Sequence, residues 1–220
     1  MPQRQVNTLR KEKKIIRVFC EGESEQAYTD FLKCKFSDVA VIKYPKELGL
    51  FDVASDRFTK DPQYREYINE IDEVWFFFDV EVKDIPQWDK RIKIIKSIRK
   101  LRRKPNIKVR LVMTTGCIEY WFMLHFKKYA PPLQTVEEKN HVIEELIQKV
   151  PTYKKGDRDS TCKIAEKSSK AILNAKSVFS NLISEGLPCL DDTDERNQWL
   201  CKSCFTFSNV FEALEFLQNL

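Results

Sequence analysis

The sequence predicts an α/β fold in which helices flank a mostly parallel sheet, followed by a C-terminal helical elaboration. Three observations support this class. Four short runs of β-branched and aromatic residues have strand length, and polar segments with helical periodicity separate them. Beyond about residue 128, the periodic segments are all helical. Strands that alternate with helices indicate parallel pairing, because a parallel connection needs a long crossover.

The predicted strands are short, apolar and bounded by turn residues or acids. They span residues 15–20, 39–44, 73–81 and 107–113. The third contains five consecutive bulky apolar residues, VWFFF, a run too short for a helix. Pro45 ends the second strand, and Pro105 separates the fourth from the basic helix before it.

The predicted helices follow from apolar residues that recur at helical spacing. The first helix begins at Glu23 and places Ala27 and Phe31 on one face. Polar residues at 191–195 indicate an acidic loop near the C-terminus. The other predicted helical segments are 51–71 in part, 87–104, 117–126, 135–149, 160–184 and 208–220.

The chain divides into three predicted segments. Residues 1–13 form a flexible basic tail, 14–127 the α/β core, and 128–220 a helical elaboration packed on that core. The N-terminus is basic and polar, and the apolar runs have strand length, so neither a signal peptide nor a membrane span is expected. The sequence therefore predicts a cytoplasmic protein.

The cysteines favour reduced thiols over a disulfide framework. There are seven, an odd number, and most lie in apolar segments. Cys201 and Cys204 have the C-x-x-C spacing of zinc ligands, but a second pair and a nearby histidine are missing. Zinc binding is left open, with ordinary thiols as the simpler interpretation.

Acidic residues follow three of the predicted strands. Glu21 comes after the first strand, Asp79 and Glu81 end the third, and Glu119 follows the fourth. The carboxyl ends of parallel strands lie on one edge of the sheet, so these side chains are expected near one another. Such carboxylates can hold a hard cation such as Mg²⁺, whose shell is completed by waters and an anionic substrate. Each acid alone also fits an ordinary loop position.

Two further acids have a simpler explanation. Glu23 and Glu25 fall in the first turn of the first predicted helix, where negative charge interacts favourably with the helix dipole. That explanation does not extend to Glu21, which precedes the turn at Gly22. The sequence therefore separates Glu21 from the acids of the helix start.

Basic residues form a second feature with two interpretations. Residues 90–104 contain nine Lys and Arg and no acid, and helical spacing leaves many of them on an exposed flank. That flank suits phosphate binding, but an ordinary solvated helix has the same pattern. His125 fits either a buried structural histidine or a phosphate contact, and Lys154 and Lys155 fit either a phosphate contact or a solvated turn. The predicted nucleic-acid-binding residues are Arg91, Lys96, Arg99, Arg102, Arg103, His125, Lys154 and Lys155.

The order and spacing of three motifs resemble a known family. The motifs are CEGESE after the first strand, FFDVE at the third and TTGCIEYWFMLHF after the fourth. They are similar to those of the RloB (AbiLii-like) family, a bacterial antiviral defence group with a Toprim-like, Rossmann-like fold. The matching residues are Glu21, Gly22, Glu25, Asp79, Glu81, Glu119, Trp121, Leu124, His125 and Phe126. The chain departs from the expected pattern at two places. It has Asp-x-Glu where most Toprim domains have Asp-x-Asp, and it has TTGCI before Glu119 where a Ser and a Pro-x-Phe-like turn are expected.

The resemblance implies a divalent-metal-dependent endonuclease that cleaves DNA, tRNA or other RNA in antiphage defence, with the α/β segment as its catalytic core. The implied cofactor is Mg²⁺ or Mn²⁺, and the implied partners are nucleic acid and an ATPase. Glu21, Asp79, Glu81 and Glu119 are the implied catalytic residues, and Glu25 joins the first three as an implied metal ligand. The alternative is a non-catalytic subunit of a defence complex that binds nucleic acid or nucleotide. An oligomer is compatible with both.

Overall fold

Four parallel strands form the centre of the molecule. The computed structural model describes residues 12–102 and 105–220, so most of the predicted tail 1–13 lies outside the described chain. The strands are β1 (Lys14–Cys20), β2 (Ala40–Lys43), β3 (Glu73–Val80) and β4 (Lys108–Thr115). They pair in the order β2-β1-β3-β4, and every pairing is parallel. The predicted α/β class is confirmed.

Ten α-helices surround this sheet in the described part of the chain. They are α1 (Glu23–Lys35), α2 (Phe51–Lys60), α3 (Pro62–Glu66), α4 (Trp88–Arg99), α5 (Ile118–Met123), α6 (Val136–Lys149), α7 (Arg158–Ala165), α8 (Ser168–Asn181), α9 (Asp194–Ser203) and α10 (Val210–Gln218). Short 3-10 turns span Ile68–Glu70 and Val82–Gln87. Among the described residues, no helix has both the length and the apolar character needed to cross a membrane.

The structure corrects two predicted boundaries in the C-terminal part. The single helix predicted over 160–184 is two helices, since α7 ends before Lys167, whose backbone is not helical. The first of them begins earlier than predicted because the Asp157 side chain accepts a hydrogen bond from the Ser160 backbone at 2.8 Å. The predicted acidic loop 191–195 contains a helix start, because Thr193 caps α9 in the same way.

Aromatic residues of β3 explain how the sheet is covered on both faces. Phe76 stacks on Phe51 of α2, with ring centroids 4.2 Å apart. The next residue, Phe77, points to the opposite face and packs edge-on against Tyr28 of α1. A strand buried on both faces needs consecutive apolar residues, which accounts for the unbroken VWFFF run.

The strand order contains a topological switch point. From β1 the chain crosses to β2 through α1, and it then returns to β3 on the other side of β1. Connections that diverge in this way leave a crevice outside the carboxyl ends of the two central strands. The crevice therefore lies beyond Cys20 and Val80, where the sequence places its acids.

The C-terminal helices are joined to the sheet and to each other by buried polar groups. Asn209, before α10, accepts a hydrogen bond from the Met113 backbone at 2.6 Å and donates one to the Leu111 carbonyl at 2.9 Å. Arg196 of α9 is fully buried and forms an ion pair with Glu212 of α10. These contacts hold the elaboration against β4.

The Arg196 ion pair generates a stability prediction. Glu212→Gln leaves a buried guanidinium without its main partner, and we expect the free energy of unfolding to fall by about 3 kcal/mol. The control is Glu215→Gln in the same helix, which breaks a more exposed pair with Lys176 and is expected to cost less than about 0.5 kcal/mol. Urea denaturation followed by circular dichroism measures both; equal losses in the two variants would contradict the prediction.

Candidate functional site

The acids that follow β1 and β3 meet across the switch point. The Glu21 backbone N–H donates to the Phe77 carbonyl at 3.0 Å, which continues the pairing of the two strands by one residue. The Glu21 carboxylate then turns toward the neighbouring strand, and its Oε2 accepts a hydrogen bond from the Asp79 backbone N–H at 3.0 Å. The Glu21 carboxylate is thus held in place by the backbone of Asp79, the residue that carries the second carboxylate.

Two more acids join them from helices on one side of the sheet. Glu25 lies in the first turn of α1 and is 4% exposed, and Glu119 lies in α5 and is fully buried. The charges of Glu21, Glu25 and Glu119 all act on Asp79. We call Glu21, Glu25, Asp79 and Glu119 the carboxylate cluster. The predicted proximity of the strand-end acids is confirmed for Glu21 and Asp79, with Glu119 beside them.

Burial and mutual repulsion make the carboxylate cluster costly to ionise. Burial raises the pKa of Glu25 to about 7, and the charges of Glu119 and Glu21 add to the rise. Burial likewise raises the pKa of Asp79 well above its usual range, with Glu25, Glu21 and Glu119 adding to it. The pKa of Glu21 is also raised by burial, although the hydrogen bond from Asp79 opposes the shift. Positive charge placed here would stabilise all three anions.

A strap from the C-terminal part, residues 153–157, crosses the carboxylate cluster. The buried Tyr153 hydroxyl donates to Glu119 Oε1 at 2.8 Å, and the Gly156 N–H donates to the Ser24 hydroxyl at 3.1 Å. Gly156 has φ +74°, and a Cβ there would lie 2.9 Å from the Glu23 Cβ, so a side chain has neither the conformation nor the space. The strap is therefore fixed on both α1 and α5.

The strap brings a lysine to the acids. The charges of Glu119, Asp79 and Glu25 raise the pKa of Lys155, so its ammonium stays protonated. Lys155 is an exposed residue, unlike the buried Tyr153 two residues earlier. An anionic ligand that reaches the carboxylate cluster would therefore meet this ammonium.

The donor chemistry of the carboxylate cluster fits a hard cation. Asp79 Oδ1 and Glu119 Oε2 are buried and have no hydrogen-bond partner among the described residues. Carboxylate oxygens of this kind are the ligands that Mg²⁺ prefers. As the side chains stand, no three His, Cys, Asp or Glu residues within 12–102 and 105–220 form a group that could hold a metal ion. A shared ion would require these side chains to rotate toward it.

The family follows from a comparison of the whole chain. The family model described as RloB-like protein matches residues 16–202, which include the carboxylate cluster and the strap. The chain belongs to the RloB-like family. A search of curated proteins found no match. The resemblance inferred from the three motifs is thus confirmed, and it extends into α9 of this RloB-like chain.

Glu81 differs from the carboxylate cluster in its partners. Its Oε1 forms an ion pair and hydrogen bond with Lys139 of α6, and its Oε2 faces Lys83 in an ion pair that lacks hydrogen-bond geometry. These lysines lower the pKa of Glu81 despite its burial. The metal-ligand role expected for Glu81 stays a prediction, and the observed contacts of the RloB-like chain are to ammonium groups.

Several of the predicted nucleic-acid-binding residues are engaged within the protein. Arg91 pairs with Asp84 at 2.9 Å, and Arg99 forms two hydrogen bonds with Asp194 at 2.8 and 2.7 Å. Arg102 donates to two backbone carbonyls. A phosphate would have to displace these partners. Lys96 and Lys154 are exposed, and Arg103 lies outside the described residues.

The surroundings of His125 are those of a buried structural histidine. It is 6% exposed and packs edge-on against Trp121, whose carbonyl lies 3.1 Å from His125 Nδ1. Burial lowers its pKa to about 4, so the ring is neutral at physiological pH. A phosphate contact from this position is not supported.

The two cysteines with C-x-x-C spacing lie at the end of α9. Cys201 is buried, with its sulfur 3.5 Å from the Met113 sulfur, and Cys204 ends α9 in a left-handed conformation.

Sequence reasoning missed the residues that surround the acids. Tyr153 and Lys139 were not singled out, although Tyr153 directly precedes Lys154 and Lys155, which were considered as phosphate contacts. Ser24 was hidden inside the CEGESE motif, where only the acids were considered. Each of these residues acts through a partner distant in sequence, so only the fold reveals its role.

The raised pKa of Glu25 generates a prediction about pH. A carboxyl whose pKa is about 7 when folded, against 4.5 when free, binds its proton more tightly in the folded state. Its contribution to stability is therefore full below pH 4.5 and is lost as the pH rises through 7. In the presence of a chelator, we expect Glu25→Gln to stabilise the protein by about 2 kcal/mol more at pH 8 than at pH 5.5.

Chemical denaturation at the two pH values tests this expectation. The control is Glu23→Gln in the same helical turn, where the native side chain is exposed. It should change stability by the same small amount at both pH values. A Glu25→Gln effect that is independent of pH would show that Glu25 does not carry the buried charge.

Proposed function

We propose that this RloB-like protein is a divalent-metal-dependent endonuclease acting on DNA or RNA. The observation that carries the proposal is the carboxylate cluster at the switch point, where Asp79 and Glu119 each present a buried oxygen without a hydrogen-bond partner among the described residues. Parallel α/β folds place their reactive groups at this crevice. Buried acids with exposed lysines beside them suit a phosphodiester, which is anionic and needs positive charge to react.

Glu21, Asp79 and Glu119 would hold the metal ion, Mg²⁺ or Mn²⁺. When bound, the ion neutralises charge on the phosphate oxygens. The protein positions these carboxylates through the Asp79 N–H bond to Glu21 and the Tyr153 hydroxyl bond to Glu119. These two bonds restrict Glu21 and Glu119 before any ligand arrives, and binding of a shared ion would still rotate the side chains toward it.

Glu25 suits the role of general base. Its pKa of about 7, raised by burial, allows it to be ionised near neutral pH and still accept a proton. It would take the proton from the attacking water as that water adds to phosphorus, and the leaving oxygen would depart with the electron pair of the broken P–O bond. Lys155 would contact the phosphate, since its ammonium is charged, exposed and adjacent to the acids.

The biological setting is part of the proposal. Membership of the RloB-like family supports a role in antiphage defence in the cytoplasm with an ATPase partner. The endonuclease would then be the part of the system that damages nucleic acid. The trigger and the choice between DNA and tRNA would rest with surfaces outside the carboxylate cluster.

A non-catalytic subunit is the second candidate. Lys155 already compensates the charge of the acids, and within the described residues no three side chains converge for a metal. A protein that only binds nucleic acid or nucleotide would need the lysine but not the ionised acids. The two candidates differ in whether loss of a single carboxylate abolishes activity or leaves binding intact.

The first test removes one carboxylate. Asp79→Asn should lower metal-dependent cleavage of plasmid, single-stranded DNA or tRNA by about 100-fold or more, because a neutral amide oxygen binds a divalent cation much more weakly than a carboxylate does. Cleavage is measured with Mg²⁺ or Mn²⁺, for the purified chain alone and with the ATPase of the same defence system. The control is Asp56→Asn, an exposed acid of α2 paired with Lys60, which should retain wild-type activity. Absence of cutting by wild type under all these conditions would exclude the enzyme.

A second test compares adjacent lysines of the strap. Lys155→Met removes the ammonium beside the acids, and we expect it to lower cleavage about tenfold or more, because a charge-assisted contact to the phosphate is lost. Lys154→Met is the matched control, since that lysine is the exposed neighbour of Lys155 in the same strap. Similar losses in both variants would indicate a general electrostatic effect and contradict the assigned role of Lys155.

A further inference from the structure

Glu81 and Lys139 form a contact that joins the end of β3 to the start of α6. The Glu81 side chain is 17% exposed and that of Lys139 is 19% exposed, whereas Lys83, the second partner, is 71% exposed. Glu81 and Lys139 therefore depend on each other, because a largely buried charge without a partner is costly. Lys83 can lose its contact and remain solvated.

Lys139 occupies a position where a positive charge is unfavourable without such a partner. It is the fourth residue of α6, near the positive end of the helix dipole. The helix start is held in place by a capping box, in which Thr135 accepts from the Glu138 N–H at 3.2 Å and Glu138 accepts from the Thr135 N–H at 2.9 Å. The ammonium is thus held facing Glu81 and gains its stability from that carboxylate.

The Lys139 side chain reaches Glu81 over Gly116. The Gly116 N–H donates to the Val80 carbonyl at 3.0 Å, and its φ is +77°. A Cβ there would lie 2.8 Å from the Leu133 Cβ and 3.5 Å from the Lys139 Cε. The ion pair therefore closes over the turn that leads from β4 into α5, the helix that carries Glu119.

We propose that Glu81 is a positioning residue, which fixes α6 over the Gly116 turn through Lys139 and thereby orients Glu119. The inference rests on the proposed function for the metal, which the carboxylate cluster would hold without Glu81. The contrast in ion pairs supports it. Glu81 Oε2 also lacks a hydrogen-bond partner, but both Glu81 oxygens form ion pairs with lysines, whereas the unpartnered oxygens of Asp79 and Glu119 have no ion pair among the described residues.

The experiment is a double-mutant cycle on the full chain with Glu81→Met, Lys139→Met and both together. Each single change should lower Tm by about 4–8 °C, because it leaves one shielded charge unpaired. The double variant should recover at least about half of that loss, since neither charge remains. The conservative Lys139→Arg should keep the wild-type Tm within about 2 °C because it preserves the pair.

Two local measurements separate positioning from general stability. Amide hydrogen exchange of residues 116–123 should be about tenfold faster in each single variant and should stay faster than wild type in the double, because all three lack the pair that holds α6, while exchange of α4 stays unchanged. Mn²⁺ binding by calorimetry should stay within about threefold of wild type in the double variant, against a loss of about tenfold or more in Asp79→Asn.

Three results would overturn the inference. They are additive Tm losses in the double variant, unchanged exchange of residues 116–123, or a loss of Mn²⁺ affinity in the double variant as large as that of Asp79→Asn. If the wild-type chain binds no Mn²⁺, the proposed metal function fails. The Tm cycle and the exchange data then decide the positioning role by themselves.

Discussion

Repulsion among acids at the carboxyl edge of the sheet is the constraint on which the rest of the structure depends. Parallel strands with diverging connections bring Glu21 and Asp79 together whether or not their charges are compatible. Three nearby groups oppose that repulsion. The Asp79 backbone N–H, the Tyr153 hydroxyl and the Lys155 ammonium each supply a proton or positive charge to the carboxylate cluster. The C-terminal helices therefore complete the site as much as they cover the core.

Most of the sheet was predictable because its signal is local. The β3 run VWFFF has no alternative at that length, and helical crossovers leave parallel pairing as the simplest arrangement. Helix boundaries in the C-terminal part were less predictable, because they depend on single side-chain caps. Asp157 and Thr193 begin helices that the apolar spacing alone did not locate.

The acids of the site could be predicted from the sequence, but the groups that surround them could not. Glu21 and Asp79 could be inferred from the strand ends, but Glu25 looked like an ordinary acid of a helix start until its burial was known. The partners of Glu81 are Lys83 and Lys139. Lys139 lies 58 residues later in the chain, and no local pattern specifies that contact. The basic residues Lys90 and Arg99 of α4 have carboxylate partners in distant segments, which the local charge pattern does not reveal.

The contact between Ser24 and Gly156 has a consequence for the order of synthesis. It joins positions 132 residues apart, so it forms only after the strap has left the ribosome. A nascent chain that ends at α5 already contains all four acids of the carboxylate cluster, but it lacks the tyrosine and lysine that hold and balance them. Contacts this far apart in sequence also form late during folding. During translation the acidic edge therefore lacks Tyr153 and Lys155 until the strap has been synthesised.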